Sequence, residues 1–322
     1  MSTLAHTPST RSAARRRPHL SGMAWLTWRQ HRAAYRVAIV ATLSAGAWML
    51  YQGLRWRDFL RDAPPFHDER YSHEYMSWYL PAQLYTGLAL YILPLLLGVF
   101  LGAPLLAADR DNGTAKLVVT QSVSRVRWMA TRLAVTALVV VVCTGVLSAA
   151  FTWWWQPHGL KVEWYRPERF ATTGPMPVAL ALATTLLGAL IGFAIGRTLP
   201  AMVITLGAST AVLYVSTRFR GLLGVRRTIS GPLPDPAVRA PEHSAHVDHF
   251  FTTASGRQVP LGKCSPDPID SCLAVKGVVH SSVKYFDLAQ RDTLQWTGAA
   301  FWTAVALIAG ALTVWWAARR PL

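Results

Sequence analysis

Six uninterrupted apolar runs decide what this chain can fold into. They cover residues 35–54, 84–108, 133–155, 176–195, 201–217 and 296–318, and apart from Arg36 at the edge of the first, none contains Asp, Glu, Lys, Arg or His. About 20 apolar residues, rising about 1.5 Å each as a helix, cross the hydrocarbon core of a bilayer. The fifth run is the shortest. It follows the fourth through Gly196-Arg197-Thr198-Leu199-Pro200, a tight turn in which the proline is expected to start the next helix. Charged residues make up 15% of the 322 positions, where a soluble domain carries about 25%. They crowd between the runs, because charge at bilayer depth costs several kcal/mol. The expected fold is an all-α polytopic membrane protein of six transmembrane helices, which excludes a soluble globular domain.

The net charge of +16 has two readings, nucleic-acid binding or an orientation signal. The basic residues flank spans, which favours orientation and excludes nucleic acid as an expected partner. With the N-terminus inside, residues 1–36, 109–132, the turn at Arg197 and the C-terminal tail hold fifteen basic residues against two acids. The opposite segments hold seventeen against fourteen, ten of the basic ones in the long stretch 218–295, which is too long for the charge rule to govern. Both termini are therefore expected in the cytoplasm, with the spans in the plasma membrane. Arg15, Arg16 and Arg17 resemble the start of a secretory signal, but the first run begins only at Tyr35 and ends at Arg55-Trp56-Arg57, no cleavage site. The reading along the chain is a disordered basic tail (1–21), a helix in the headgroup layer (22–34), spans one to five (35–217) with a cytoplasmic loop at 109–132, an extracytoplasmic loop domain (218–295), and the sixth span with its tail (296–322). Trp25 and Trp28 share one arc of the segment 22–34. Cys264 and Cys272 lie in the stretch expected outside, where an oxidising compartment permits a disulfide; two free thiols are the alternative. Cys143 sits mid-span and reads as a packing residue.

Chemistry is scarce. No span carries an acid or histidine to bind a coupling ion, so the driving force is expected from outside the spans. The nearest approach to a phosphate loop, Gly256 to Cys264, has the wrong glycine spacing, and Cys264 stands where Ser or Thr should hold magnesium. No cofactor is expected in this chain. His243, His246, Asp248 and His249 have spacing compatible with zinc, but no periodic structure is apparent to fix a geometry, so solvated loop histidines are expected and no metal site is assigned. The spans offer no paired acids and no nucleophile with a base, which argues against a membrane enzyme.

The segment after the second run, Asp109 to Arg132, is the informative one. Asp109-Arg110-Asp111-Asn112-Gly113-Thr114 reads as a turn. A short helix, 115–121, can follow, and Ser122-Val123-Ser124-Arg125 opens the next helix with capping hydroxyls. Gly113-Thr114, then Thr120-Gln121-Ser122-Val123-Ser124-Arg125, then Arg127-Trp128, match in order and spacing the loop that follows the second span in permease subunits of ABC-2-type ATP-binding-cassette exporters, including the Thr-Gln-Ser-Val form frequent in the actinobacterial branch. The chain resembles that family over about 25 residues of motif and over nearly its whole six-span layout. Asp109 and Asp111 stand where glutamates are commoner.

The resemblance implies a docking loop that takes up the closure of a separate ATPase subunit, which would bind ATP and Mg. Asp109, Asp111, Gly113, Thr114, Gln121, Ser122, Arg125, Arg127 and Trp128 would carry the coupling. It implies a second permease subunit, identical or related, and surrounding lipid as further partners. It also implies outward transport along the second and fifth spans, where Tyr85, Tyr91, Thr205, Ser209 and Tyr214 could meet a mostly apolar cargo. The Thr and Ser hydroxyls are as readily explained by backbone hydrogen bonds within their helix. A non-transporting scaffold or sensor is the alternative. Gly98, Gly102, Gly188, Gly192 and Gly196 form ladders that let helices approach closely, and Pro94 and Pro104 are expected to kink the second span.

Overall fold

In the computed structural model the described residues are 23–62, 69–111, 124–155, 164–232, 241, 244–260 and 277–319, with the side chains of residues 23, 24, 69, 70, 109 and 125 outside the description. Six helical segments in them are long and apolar enough to cross a membrane: Trp25–Asp62, Tyr71–Ala108, Val126–Trp155, Met176–Ile195, Thr198–Phe219 and Leu288–Arg319. Each contains one of the six apolar runs, and five extend past it, because helices continue into the interface where charge is tolerated.

Helix α1 is Met23–Asp62, and at 40 residues it is about twice the length a bilayer needs. His31 (φ −105°, ψ 15°) breaks its helical geometry and separates the tryptophan-bearing start from the span. The segment 22–34 thus joins α1 instead of ending before it. Trp25 is 46% exposed, whereas Trp28 turns inward to within 5.5 Å of the Tyr35 ring.

The second span is built of α2 (Glu69–Glu74), a π-helical turn at Tyr75–Tyr79, α3 (Leu80–Leu97), a second π turn at Gly98–Gly102, and α4 (Ala103–Asp111). The second π turn lies between the two prolines, which remove amide donors and force the ladder to widen. The Thr184 hydroxyl donates to the Pro94 carbonyl at 2.5 Å, so the distortion is bonded to the neighbouring helix.

Helices α5 (Arg125–Trp155), α6 (Pro167–Thr172), α7 (Met176–Ile195), α8 (Thr198–Phe219) and α9 (Arg291–Arg319) complete the bundle. Helix α7 is its hub, packing on α9, α5, α8, α3 and α4. Small residues permit this. A Cβ on Gly188 would stand 2.5 Å from the Gly98 carbonyl oxygen, and one on Gly192 would run into the Ala103 carbonyl. Gly196 ends α7 with φ 71°, and α8 begins at Thr198, two residues before Pro200, which occupies the first turn where no amide is needed.

The stretch between α8 and α9 contains a sheet that the sequence reading did not anticipate. Strands β1 (Arg227–Pro232), β2 (Ala245–Thr253), β3 (Gln258–Pro260) and β4 (Val278–Phe286) pair antiparallel in the order β1-β4-β2-β3. Gly256 (φ 79°) lies in the β2–β3 turn, so the glycine of the phosphate-loop near-match serves a hairpin. The Gln290 side chain bonds both the amide and carbonyl of Val225, and Phe286 packs on Tyr165 at 4.8 Å, fixing the sheet to one end of the bundle. Cys264 and Cys272 lie outside the described residues; Cys143 is half-buried and free.

Candidate functional site

The bundle has two ends. One carries the sheet; the other carries the segment 109–132, whose central residues, Gly113, Thr114, Gln121 and Ser122 among them, lie outside the described residues. Its two stems are described. Asp109, Arg110 and Asp111 form the last turn of α4. The Arg110 guanidinium donates to the Phe193 carbonyl at 2.6 Å and lies 4.7 Å from that ring, so a cation caps the C-terminal end of α7. Asp111 accepts a hydrogen bond from the Thr198 amide at 3.2 Å, placing an anion at the N-terminus of α8. The sequence shows both charges, but not that they cap the far side of the turn at Arg197.

At the other stem Ser124 caps α5, its hydroxyl accepting from the Arg127 amide at 3.3 Å, as the capping reading expected. Arg125 opens the helix and Arg127 is exposed. Trp128 is 6% exposed and belongs to the main core, so of this pair only Arg127 faces outward. One turn on, Arg132 is 1% exposed. Its guanidinium lies 4.7 Å from the Trp128 ring and donates to His31 Nε2 at 2.7 Å, at the break in α1. Tyr35 and Thr136 share a 2.8 Å hydroxyl hydrogen bond one turn further in. Arg132 read in sequence as one more cytoplasmic charge. The signal that it is special is its position between Trp128 and Thr136 on one helical face.

The five pathway candidates do not converge. Thr205 and Ser209 are buried in the crossing of α8 with the second span, and Thr205 Oγ1 has no hydrogen-bond partner among the described residues. The backbone hydrogen bond considered for it is therefore absent. Tyr214 is 60% exposed on α8 beside Arg218. Tyr85 and Tyr91 line a cavity of about 420 Å³ between α3 and α6, near the sheet-bearing end. Arg169, Glu168 and Gln83 share its wall and were not singled out in the sequence. Arg169 is buried; it donates to Gln83 Oε1 at 3.4 Å and lies 5.6 Å from the Trp155 ring. Gln83 donates to the Tyr79 hydroxyl at 2.7 Å. Arg220, just past α8, stacks at 4.4 Å on Tyr165; burial lowers its pKa, while the charges of Tyr165 and Glu168 oppose that.

His246, Asp248 and His249 lie on β2, not in irregular loop, and His243 lies outside the described residues. His249 shares a 2.9 Å hydrogen bond with Ser281 on β4. No cluster of three or more His, Cys, Asp or Glu side chains that could hold a metal occurs among the described residues.

The family described as ABC-2 membrane transporter related matches residues 38–220, more than half the chain and all of spans two to five. No curated protein and no solved structure matches the chain.

Proposed function

The chain belongs to the ABC-2 membrane transporter related family, and from that premise we propose that it is the permease subunit of an ATP-driven exporter, coupled to a separate ATPase subunit at the segment 109–132. One observation carries the coupling reading. The contacts at the two stems of that segment reach three different helices: Arg110 to α7, Asp111 to α8 and Arg132 to α1. A displacement of the segment would therefore reach α7, α8 and α1 together with its own helices α4 and α5. Rigid elements bonded at their ends transmit displacement, whereas loops absorb it.

The reading further holds that ATP and Mg bind in the partner, that two permease chains, identical or related, pair in the membrane, and that cargo moves outward. Both termini and the segment 109–132 face the cytoplasm of the bacterial cell, as the excess of basic residues there supports. Asp109, Gly113, Thr114, Gln121, Ser122, Arg125 and Arg127 would present the docking surface, and Cys264 and Cys272 would be bridged outside.

Co-purification with the ATP-binding subunit tests this. The wild-type complex is expected to form and to hydrolyse ATP, and Gly113→Pro together with Arg125→Glu is expected to abolish both while leaving membrane insertion intact. An unaltered complex and unaltered hydrolysis would refute the docking assignment. A firm complex that moves no cargo in vesicles would favour the scaffold reading.

A further inference from the structure

The cavity between α3 and α6 combines three properties. It has a buried cation, Arg169, and a carboxylate, Glu168, in one wall. Its other wall includes Leu84, Tyr85 and Leu88, which are 47%, 75% and 53% exposed on a membrane-spanning helix and therefore look into lipid. Its volume, about 420 Å³, lies within the range of sites that enclose small ligands.

Depth adds a fourth. The second span ends at Ala108, and about 20 residues counted back from there fill the hydrocarbon core, which places Leu88 at its far edge and Gln83 to Gly87 at headgroup level. Two other helices agree. Trp155, 5.6 Å from Arg169, closes α5 in a run of three tryptophans, and Arg169 lies on the short helix α6 that ends at Thr172, just before α7 starts at Met176.

We propose that this cavity binds a zwitterionic phospholipid by its headgroup, the phosphate against Arg169, the ammonium against Glu168 and the upper acyl carbons along Leu88. A guanidinium held at the edge of the hydrocarbon selects an anion, and phosphate accepts its forked donors. Glu168, which is partly exposed and lies 3.9 Å from the still more exposed Arg166, disfavours a purely anionic lipid and gives the ammonium a partner. A second copy of this chain pressing the apolar part of its own second span, residues 84–108, on the cavity would bring no acid, since that part contains none. The site is independent of the transport reading, because binding requires neither ATP nor a partner subunit.

Native mass spectrometry of the purified full chain with short-chain phosphatidylethanolamine, phosphatidylglycerol of the same chains, and inorganic phosphate tests this. Phosphatidylethanolamine is expected to bind in preference to the other two. Arg169→Gln is expected to weaken it about tenfold or more, and Glu168→Gln to shift the preference toward phosphatidylglycerol. Leu88→Trp fills the cavity from its lipid side and leaves Arg169 and Gln83 themselves in place, so its expected loss of binding stands as a test even where Arg169→Gln fails to fold. Equal phosphatidylethanolamine binding by wild type and Leu88→Trp, free phosphate binding as well as the lipid, or a dimer that binds no lipid would each overturn the proposal and leave the transport reading standing.

Discussion

The two ends of the bundle are fastened by different physics. At the 109–132 end, charged side chains meet helix termini and a helix break: Arg110 on the last turn of α7, Asp111 on the first amide of α8, Arg132 on His31. At the sheet-bearing end, beside the Gln290–Val225 hydrogen bonds, the fastening is mainly aromatic. Trp56 stacks on Tyr79 with ring centroids 4.0 Å apart and meets Trp78 edge-on, Tyr79 meets Trp154 at 88°, and Arg57 lies 3.6 Å from the Trp153 ring. Hydrogen bonds to helix termini are few, directional and lost outright when one atom moves. Aromatic packing is spread over many contacts of about 0.5–1.5 kcal/mol each and tolerates small shifts. The first end suits transmission, and the second suits a stable frame that keeps a lipid-facing cavity open.

The largest expected effect comes from where the first end meets the hub. Gly192→Val drives a side chain into the Ala103 carbonyl and cannot be relieved without separating α7 from α4. It is expected to cost about 3 kcal/mol or more, read as loss of the monodisperse protein in mild detergent; a stable, active variant would show that the hub is not tightly closed. Arg110→Ala with Asp111→Ala removes two terminal caps worth about 0.5–2 kcal/mol each. It is expected to reduce ATP-driven transport about tenfold or more with the complex still formed. Arg57→Ala at the aromatic end removes a stacking contact and a 2.9 Å hydrogen bond to the Trp153 carbonyl. It should lower stability by about 1–2 kcal/mol in thermal unfolding without changing coupling, and a coupling defect there would erase the distinction between the ends. Asp58→Asn breaks the ion pair with Arg61, whose side chains are 66% and 77% exposed, and should change stability by less than about 0.5 kcal/mol.

The six spans were legible because lipid tolerates so few residue types: a run such as 176–195 admits one reading, and α7 has those bounds. The capping at Ser124 was legible because it is local, three residues from donor to acceptor. Contacts between distant stretches were not. Nothing near Arg169 says that Gln83, some 86 positions away, will meet it, or that Thr205 will be fully buried among the helices. The sheet was missed because β2 does not alternate cleanly. Phe250 and Phe251 are both buried, and a register shift falls between His246 and Asp248, so the period-two signal is blurred.

The central claim is that the 109–132 end meets the cytosol while the sheet-bearing end meets the exterior. Replacing the three native cysteines and introducing Ser124→Cys or Ser230→Cys, one at a time, allows labelling of intact cells with a membrane-impermeant maleimide. The account predicts that Cys at 230 labels from outside and that Cys at 124 labels only after the membrane is opened. Labelling of position 124 in intact cells, with 230 protected, would contradict it.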